Sequence, residues 1–344
     1  MRTQSITLLG DFFCEAPLTS LPPALGSYIV NLEGPISSRG VPAANKVNLR
    51  AGELTLPKGG TNRLVAASLA NNHILDFGPE ALRDTLDALD ALGAASFGAG
   101  EVCRNYRNPA MVLVGATRVA LLGYASDSTS ALFGPVKGLG VARLELRRVV
   151  ADIRLARSIG ADRVFVCVHW GSEEVAMPNP ADVRTVREIV EAGADLVVGH
   201  HPHVVQPWTT IDGRPVFFSL GNFAMQDLAV PSHYCECGVA TRTYKKVQSP
   251  RNRWSAAVTV DPADMALTVR ATRYDGDAVT WATNAPKEMR ASSLLTSRYQ
   301  RRFRIAYVSG KLWRLFHEFL AKPTFPRLRH FRALLNQITT RDFR

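Results

Sequence analysis

The stretch that decides the fold is VVGHHPHVVQP, residues 197–207, which places three of the eight histidines of the chain within four positions. It opens as an apolar run typical of a buried strand and then presents His200, His201 and His203. One interpretation is a turn at Pro202 with polar neighbours. The other is a metal site at the end of a strand, because neutral imidazole is the commonest metal ligand.

Short apolar runs alternate with helical patterns over the first two thirds of the chain, and this alternation predicts a layered α/β fold. The predicted strands are 5–10, 27–33, 63–70, 117–125, 163–170, 195–200 and 214–223. The predicted helices are 79–93, 144–160 and 180–194. The first of these opens with Pro79 and closes with Gly93, as helices typically do.

The character of the sequence changes after residue 223. Residues 224–252 predict a loop, and three apolar runs then predict an antiparallel meander, at 254–261, 265–274 and 278–283. From about Ser292 the pattern is helical, basic and aromatic. We therefore expect one main domain over residues 1–283 and a basic helical extension over residues 284–344.

The positive charge of the chain lies in this extension. The net charge is +11, and residues 284–344 hold 14 of the 41 basic residues but only three of the 30 acidic ones. Three interpretations stay open: helices that pack on the main domain, a helix on an anionic membrane surface, or a site for an acidic polymer such as polyglutamate. No nucleic-acid-binding module is recognisable, so we expect no nucleic acid partner.

Composition is typical of a globular protein, with 46% hydrophobic residues and no run long enough to span a bilayer. The N-terminal apolar run is too short for a signal peptide. Five cysteines form no even framework, which favours a reducing, cytoplasmic setting. Cys235 and Cys237 are interpreted as an incidental pair in a turn, in preference to a redox or zinc site.

Polar residues follow the predicted strands where each strand ends, and loops at such ends converge on one crevice. They include five of the eight histidines together with carboxylate and amide side chains: Asp11, Glu33, Asn72, His73, His169, His200, His201, His203 and Asn222. This mixture of oxygen and nitrogen donors suits Mn²⁺, Fe or Zn²⁺. Two ions bridged by a carboxylate can clamp the attacking and leaving oxygens of a phosphate ester.

The motifs NLEGP, LANNH, HWG, GHHPHV and SLGNF occur in this order between about residues 5 and 225. Together they resemble the capsule-synthesis family (CapA, poly-γ-glutamate synthesis) of the calcineurin-like metallophosphoesterase superfamily. The resemblance implies a four-layer αββα sandwich with metal ions at the strand ends. Here it would carry a basic helical extension at its C-terminus.

The resemblance also implies six metal ligands: Asp11, Glu33, Asn72, His169, His201 and His203. Asp11 would hold the first ion, and Glu33 would bridge the two. Asn72 and His169 would hold the second ion. His201 and His203 would supply one imidazole to each ion.

Three further residues take other roles in the pattern. His73 would assist the leaving group, His200 would support a ligand from outside the coordination sphere or act as an alternative ligand, and Asn222 would touch substrate or orient a ligand. Two positions depart from the superfamily: Phe13 stands where a histidine usually follows the first aspartate, and the bridging group is Glu33 instead of an aspartate. The first ion is then left with Asp11, Glu33 and His203.

These residues predict a metal-dependent hydrolase with a phosphorylated or polyanionic substrate, connected to capsule or poly-γ-glutamate-like polymer production and its machinery. We expect it in the cytoplasm, with peripheral contact with the inner membrane as an option. A non-catalytic polymer-binding or assembly component is the alternative, which Phe13 favours. Metal-assisted amide hydrolysis is a third option, because the same ions can perform it.

Overall fold

The computed structural model describes residues 4–57, 61–235, 237–289 and 299–321. Its strands are β1 Ile6–Phe13, β2 Ser27–Leu32, β3 Arg63–Ser68, β4 Ala95–Phe97, β5 Ala99–Glu101, β6 Ala110–Val114, β7 Thr117–Ala125, β8 Leu139–Val141, β9 Arg163–His169, β10 Leu196–His200, β11 Trp208–Ile211, β12 Arg214–Phe217, β13 Asn222–Met225, β14 Leu228–Tyr234, β15 Ala240–Lys246, β16 Trp254–Asp261, β17 Ala266–Tyr274 and β18 Val279–Trp281. Its α-helices are α1 Gly78–Ala91, α2 Leu146–Ser158, α3 Pro180–Glu191 and α4 Tyr299–Ala321.

Two large sheets carry the fold. The first has the order β18-β17-β16-β1-β2-β3-β4, and β13 also pairs with β1. The second has the order β11-β12-β10-β9-β7-β6. Strands β1, β2, β3 and β13 run parallel in the first sheet, as β7, β9, β10 and β12 do in the second. The carboxyl ends of each parallel set therefore meet at one edge.

Buried apolar side chains separate four layers. Between the sheets pack residues such as Ile6 and Phe165. Leu82 and Leu86 of α1 cover the outer face of the first sheet, and α2 and α3 cover the second through residues such as Val149. Each fully buried side chain of this size contributes about 1.5–3 kcal/mol. The expected αββα sandwich is confirmed.

The segment after β13 differs from the prediction. Residues 224–252, expected to form a loop, contain an antiparallel hairpin made of β14 and β15. The predicted meander that comes after it is confirmed, since β16, β17 and β18 pair in antiparallel order.

Cys235 and Cys237 form a disulfide at the tip of this hairpin, so the interpretation as an incidental pair is wrong. Disulfides are typical of oxidising compartments, and the cysteine pattern therefore does not support the reducing setting that we expected. The cytoplasmic, membrane-peripheral location stays a prediction.

The helix α4 packs on the main body of the protein. Tyr299, Phe303 and Tyr307 are buried in the cluster that covers the second sheet, and the Tyr299 hydroxyl donates a hydrogen bond to the carbonyl of Pro178. For the described part of α4, this contact agrees with the interpretation that helices of the basic extension pack on the main domain. The prediction also covers 322–344, which lie outside the described residues, and the division at residue 283 stays a prediction.

Among the described residues, no helix has both the length and the apolar content needed to cross a bilayer.

Candidate metal centre

The centre is built where the two parallel sets of strands end. Asp11 on β1 lies in register with Asn31 on β2 and with Asn222 on β13, and His169 on β9 lies in register with His200 on β10. All five are buried. The parallel strand ends thus bring donors from distant parts of the sequence to one edge of the sandwich.

A close backbone approach fixes Asp11 within this edge. A Cβ on Gly10 would stand 2.0 Å from the carbonyl oxygen of Gly221, which only glycine avoids. The Asp11 amide then donates to that same carbonyl at 2.9 Å. The glycine that precedes the aspartate is therefore required for the placement of the carboxylate.

The segment after β10 has a constrained backbone. His201 has φ of 94° and His203 has φ of 57°, both in the left-handed region that disfavours residues with a side chain. The His201 amide donates to Oδ2 of Asp11 at 3.1 Å, which helps to hold this conformation. Such strained residues cluster at functional sites, where the surrounding structure compensates for the cost.

Predicted ligands converge in two groups that share Glu33. One group is Asp11, Glu33 and His203, and the other is Glu33, His169 and His201; within each, the donor atoms lie within 4.8 Å of one another. Oε1 of Glu33 is 3.5 Å from Nε2 of His203 and 3.8 Å from Nε2 of His169. The carboxylate therefore lies between the two groups, which is the position required of a bridging ligand.

Several buried donor atoms in these groups are without hydrogen bonds. Within the described part of the chain, the two carboxylate oxygens of Glu33 have no hydrogen-bond partner. Nδ1 of His201 has none either. Leaving a buried polar group unsatisfied costs about 1–3 kcal/mol, and more when it is charged. A cation bound between these atoms would remove that cost, so the donor set fits divalent ions.

Burial also changes the protonation of the donors. It raises the pKa of Glu33 to about 8 and lowers the pKa of His201 to about 3, the latter leaving the imidazole neutral as a metal ligand requires. Burial alone would lower the pKa of His203, but the charge of Glu33 and the hydrogen bond with Asp11 raise it to about 9. An anionic Glu33 thus requires positive charge beside it.

The remaining predicted residues lie around these groups. Oδ1 of Asn72 is 2.8 Å from Nε2 of His169, as expected of two side chains directed at one ion. Oδ1 of Asn222 is 2.9 Å from Nδ1 of His203, so Asn222 contacts a predicted ligand. His200, through Nε2, donates to the carbonyl of Leu9 at 3.1 Å, which makes the role of alternative ligand unsupported.

His73 has a partner that sequence reasoning missed. Its Nδ1 is 2.6 Å from Oδ2 of Asp76, three residues further on, and Asp76 is fully buried. Burial lowers the pKa of His73, although the charge of Asp76 opposes this effect. Asn31 was also missed: its amide donates to Oδ1 of Asp11 at 2.8 Å. A signal was present for both, since each lies two or three residues from a predicted site residue.

Phe13 is buried in a small apolar cluster with Leu49, Met225 and Leu228. The position at which the superfamily pattern has a histidine therefore packs as an aromatic side chain. Asp11, Glu33 and His203 lie close enough to hold an ion, and their role as the ligands of the first ion stays a prediction.

A cavity of about 270 Å³ opens beside Glu33 and His203. Three cationic side chains line it, Lys46, Lys246 and Arg314, and no sequence signal identified them. Asn72, His73 and Glu173 line the same cavity. Glu173 was also missed, although it comes two residues after the HWG motif; its donor atom lies within 4.8 Å of those of His201 and His203.

The αββα sandwich with carboxylate and imidazole donors gathered at its strand ends is the arrangement that the resemblance of the sequence motifs implied. The family can be stated more narrowly. Residues 18–227 match the model described as bacterial capsule synthesis protein PGA_cap, and the chain belongs to that family.

Relatives agree with this membership. The capsule biosynthesis protein CapA of Bacillus anthracis is 31% identical over 184 residues, covering 53% of this chain and 45% of that protein. The PGA biosynthesis protein CapA of Bacillus subtilis (strain 168) is 33% identical over 155 residues, covering 45% and 40%. The chain thus spans about half the length of the curated relatives it matches.

Among solved structures, a 5′-nucleotidase precursor from Thermus thermophilus is 17% identical. Its TM-score is 0.37, and the match covers 72% of this chain and 43% of that one.

Proposed function

We propose that this chain is a metal-dependent hydrolase that acts on a phosphorylated or polyanionic substrate in the production of a capsule or poly-γ-glutamate-like polymer. The observation that carries the proposal is Glu33: it is buried between two donor groups, and its oxygens have no hydrogen-bond partner in the described residues. Membership of a capsule synthesis family supports the biological setting and an association with that machinery.

The donor set would hold two divalent ions, of Mn²⁺, Fe or Zn²⁺. Asp11, Glu33 and His203 would hold the first, and Glu33, His169, His201 and Asn72 the second. Bound ions supply Lewis-acid chemistry: they neutralise charge on substrate oxygens and lower the pKa of water.

The residues of the chain bind, orient and protonate the substrate. Lys46, Lys246 and Arg314 bring positive charge to the cavity in which an anionic substrate would lie. Asn222 orients the His203 ring, so that Nε2 is directed at Glu33. Asp76 accepts a hydrogen bond from Nδ1 of His73, so Nε2 is the atom that would give a proton to the leaving oxygen from the imidazolium form, which the charge of Asp76 favours.

Hydrolysis of generic substrates tests the proposal. Purified protein supplied with Mn²⁺, Zn²⁺ or Fe²⁺ is expected to release phosphate from a phosphomonoester or phosphodiester, and chelation is expected to stop the release. His201→Ala should lose both turnover and bound metal. His73→Gln should lose turnover by about 10²-fold or more but keep its metal. His233→Ala, which alters a histidine on β14 outside the donor groups, is the matched control.

No turnover with any of these metals would contradict the proposal. Cleavage of a γ-glutamyl oligomer without phosphate release would assign amide hydrolysis instead.

Phe13 favours a second candidate, a non-catalytic polymer-binding or assembly component that keeps the fold. An apolar side chain at this position leaves three donors for the first ion. Elemental analysis separates the candidates: two ions per chain support the hydrolase, and zero or one supports the assembly component.

A further inference from the structure

Three cations from separate parts of the chain meet at the cavity beside the metal centre. Lys46 comes from the segment between β2 and β3, Lys246 ends β15, and Arg314 belongs to α4. Lys246 is deeply buried, with its side chain 10% exposed. A buried cation is stable only with anionic partners, so this side of the cavity is built to hold negative charge.

Glu173 supplies part of that negative charge in the present structure. Its Oε2 accepts from Arg314 at 2.7 Å and lies 3.9 Å from Nζ of Lys246. The carboxylate of Glu173 is also close to the His201 and His203 donors. An anionic group at this point therefore contacts the cations on one side and the metal-binding imidazoles on the other.

Arg314 reaches the cavity because α4 approaches the main body very closely. A Cβ on Gly310 would stand 2.3 Å from the carbonyl oxygen of Glu174, so the helix can contact this backbone only through a glycine. Arg314 lies four residues later, on the same face of the helix. The burial of Phe303 and Tyr307 fixes the helix on the same surface.

Lys46 lines the cavity next to Asn72 and His73. Its ammonium group contacts Asp76 and donates to the backbone carbonyl of Asn72 at 2.5 Å. It is thus anchored beside the predicted ligand Asn72 and the predicted proton donor His73, and it lines the same cavity as the cations that contact Glu173.

We propose that Lys46, Lys246 and Arg314 form a subsite for a second anionic group of the substrate, and that Arg314 is its specificity-determining residue. The inference rests on the proposed function, and it narrows the substrate class to molecules or chain ends with at least two anionic groups. One group lies at the metal centre, and the other is held by the three cations. The guanidinium of Arg314 suits this task because it binds carboxylate or phosphate oxygens through two parallel hydrogen bonds. Glu173 is the counter-ion that Arg314 exchanges for the substrate, whereas Lys246 keeps Glu174 as its nearer partner at 3.2 Å.

Binding to the full, metal-free chain tests the subsite independently of hydrolysis. The probes are γ-linked triglutamate and inorganic triphosphate, with glutamate and inorganic phosphate as the references that carry fewer charges, all measured by titration calorimetry. Arg314→Gln is expected to weaken the binding of at least one of the two polyanions by about tenfold or more, since it removes hydrogen bonds between charged groups. The reference anions are expected to change by less than about threefold.

The controls separate this effect from charge and from folding. Arg301→Gln removes an exposed arginine from the same helix and should bind as the wild type does. Arg314→Lys keeps the charge without the geometry for two parallel hydrogen bonds and should give an intermediate loss of polyanion affinity.

The polyanion whose binding depends on Arg314 identifies the substrate as a carboxylate or a phosphate. Wild-type affinity of Arg314→Gln for both polyanions, or an equal loss in Arg301→Gln, would overturn the inference. Arg314-dependent binding in a chain that hydrolyses nothing would leave the subsite standing and contradict only the hydrolase.

Discussion

His203 and Asn222 are joined by a hydrogen bond of 2.9 Å between the imidazole Nδ1 and the amide Oδ1. With Nδ1 engaged, Nε2 of His203 is left 3.5 Å from Oε1 of Glu33. Asn222 therefore determines which ring nitrogen is available to a metal ion, and it does so from a strand that pairs in register with Asp11.

Removal of this orienting contact is expected to weaken metal binding. Asn222→Ala should lower the affinity for the first divalent ion by about 10–100-fold, because the His203 ring loses its fixed orientation. Asn222→Asp keeps an acceptor for Nδ1 and should retain the affinity. Metal titration of the two variants checks the expectation, and equal affinities in Asn222→Ala and the wild type would contradict it.

A histidine at position 13 is expected to strengthen the first metal site. Phe13 packs with Leu49, Met225 and Leu228, which line the cavity beside Glu33, so an imidazole here adds a donor near Asp11, Glu33 and His203. Phe13→His should raise the affinity for the first ion by about tenfold or more. Metal content after dialysis is the measurement, and Phe13→Leu is the control. If both variants retain the same amount of metal, position 13 has no part in the site.

The contact between α4 and the body is expected to depend on the absence of a side chain at Gly310. A methyl group would overlap the carbonyl oxygen of Glu174, so Gly310→Ala should displace the helix at a cost of about 1–3 kcal/mol in the free energy of unfolding. The same variant should weaken the binding of polyanions, because Arg314 moves with the helix. Urea unfolding and calorimetry check both effects, with exposed Ser309→Ala as the control. An unchanged stability would show that the helix does not depend on this contact.

Asp182, in the first turn of α3, gives a pH dependence away from the metal centre. Burial raises the pKa of this carboxyl from 3.8 to about 7. The folded chain therefore holds a proton that the unfolded chain releases, and the free energy of unfolding falls as the pH rises from about 4 to about 7. Asp182→Asn removes this titration and should be more stable than the wild type above pH 7, by on the order of 2 kcal/mol.

Urea unfolding of metal-free protein between pH 4 and pH 9 measures this difference. Asp212→Asn, which alters an exposed aspartate in a turn, should follow the wild-type curve. A constant difference between Asp182→Asn and the wild type at all pH values would contradict the expected titration.

The sandwich was predictable from the sequence because its signals are local. Apolar runs that end at Asp11, Glu33, His169 and His200 fall on or directly beside the ends of β1, β2, β9 and β10. The hairpin of β14 and β15 was missed because its strands are rich in polar residues and contain Pro231, which is unfavourable in a central strand. Their alternation of buried and exposed residues is visible only once the partner strand is known.

The carboxylate and imidazole donors of the site were predictable in the same way, whereas the cations that line the cavity beside them were not. His201 and His203 share one short motif, and Glu33 ends a strand, so each has a sequence signal of its own. Lys46, Lys246 and Arg314 lie in unrelated segments, and only tertiary packing brings them to one cavity. Asp76 and Asn31 lie two or three residues from a predicted site residue, which is a signal of position, but the sequence does not show that they bond His73 and Asp11.

The helix α4 contacts the main body closely at Gly310, and it carries Arg314, which we propose as the residue that determines specificity. Glu33, His169 and His203 lie within the segment that matches the capsule synthesis family, whereas Arg314 lies beyond it. If the proposed subsite is correct, a different helix in the place of α4 would change which polyanion binds without any change in the donor residues. Members of the family that share the matched segment are then expected to differ in the residues that an equivalent helix brings to the cavity.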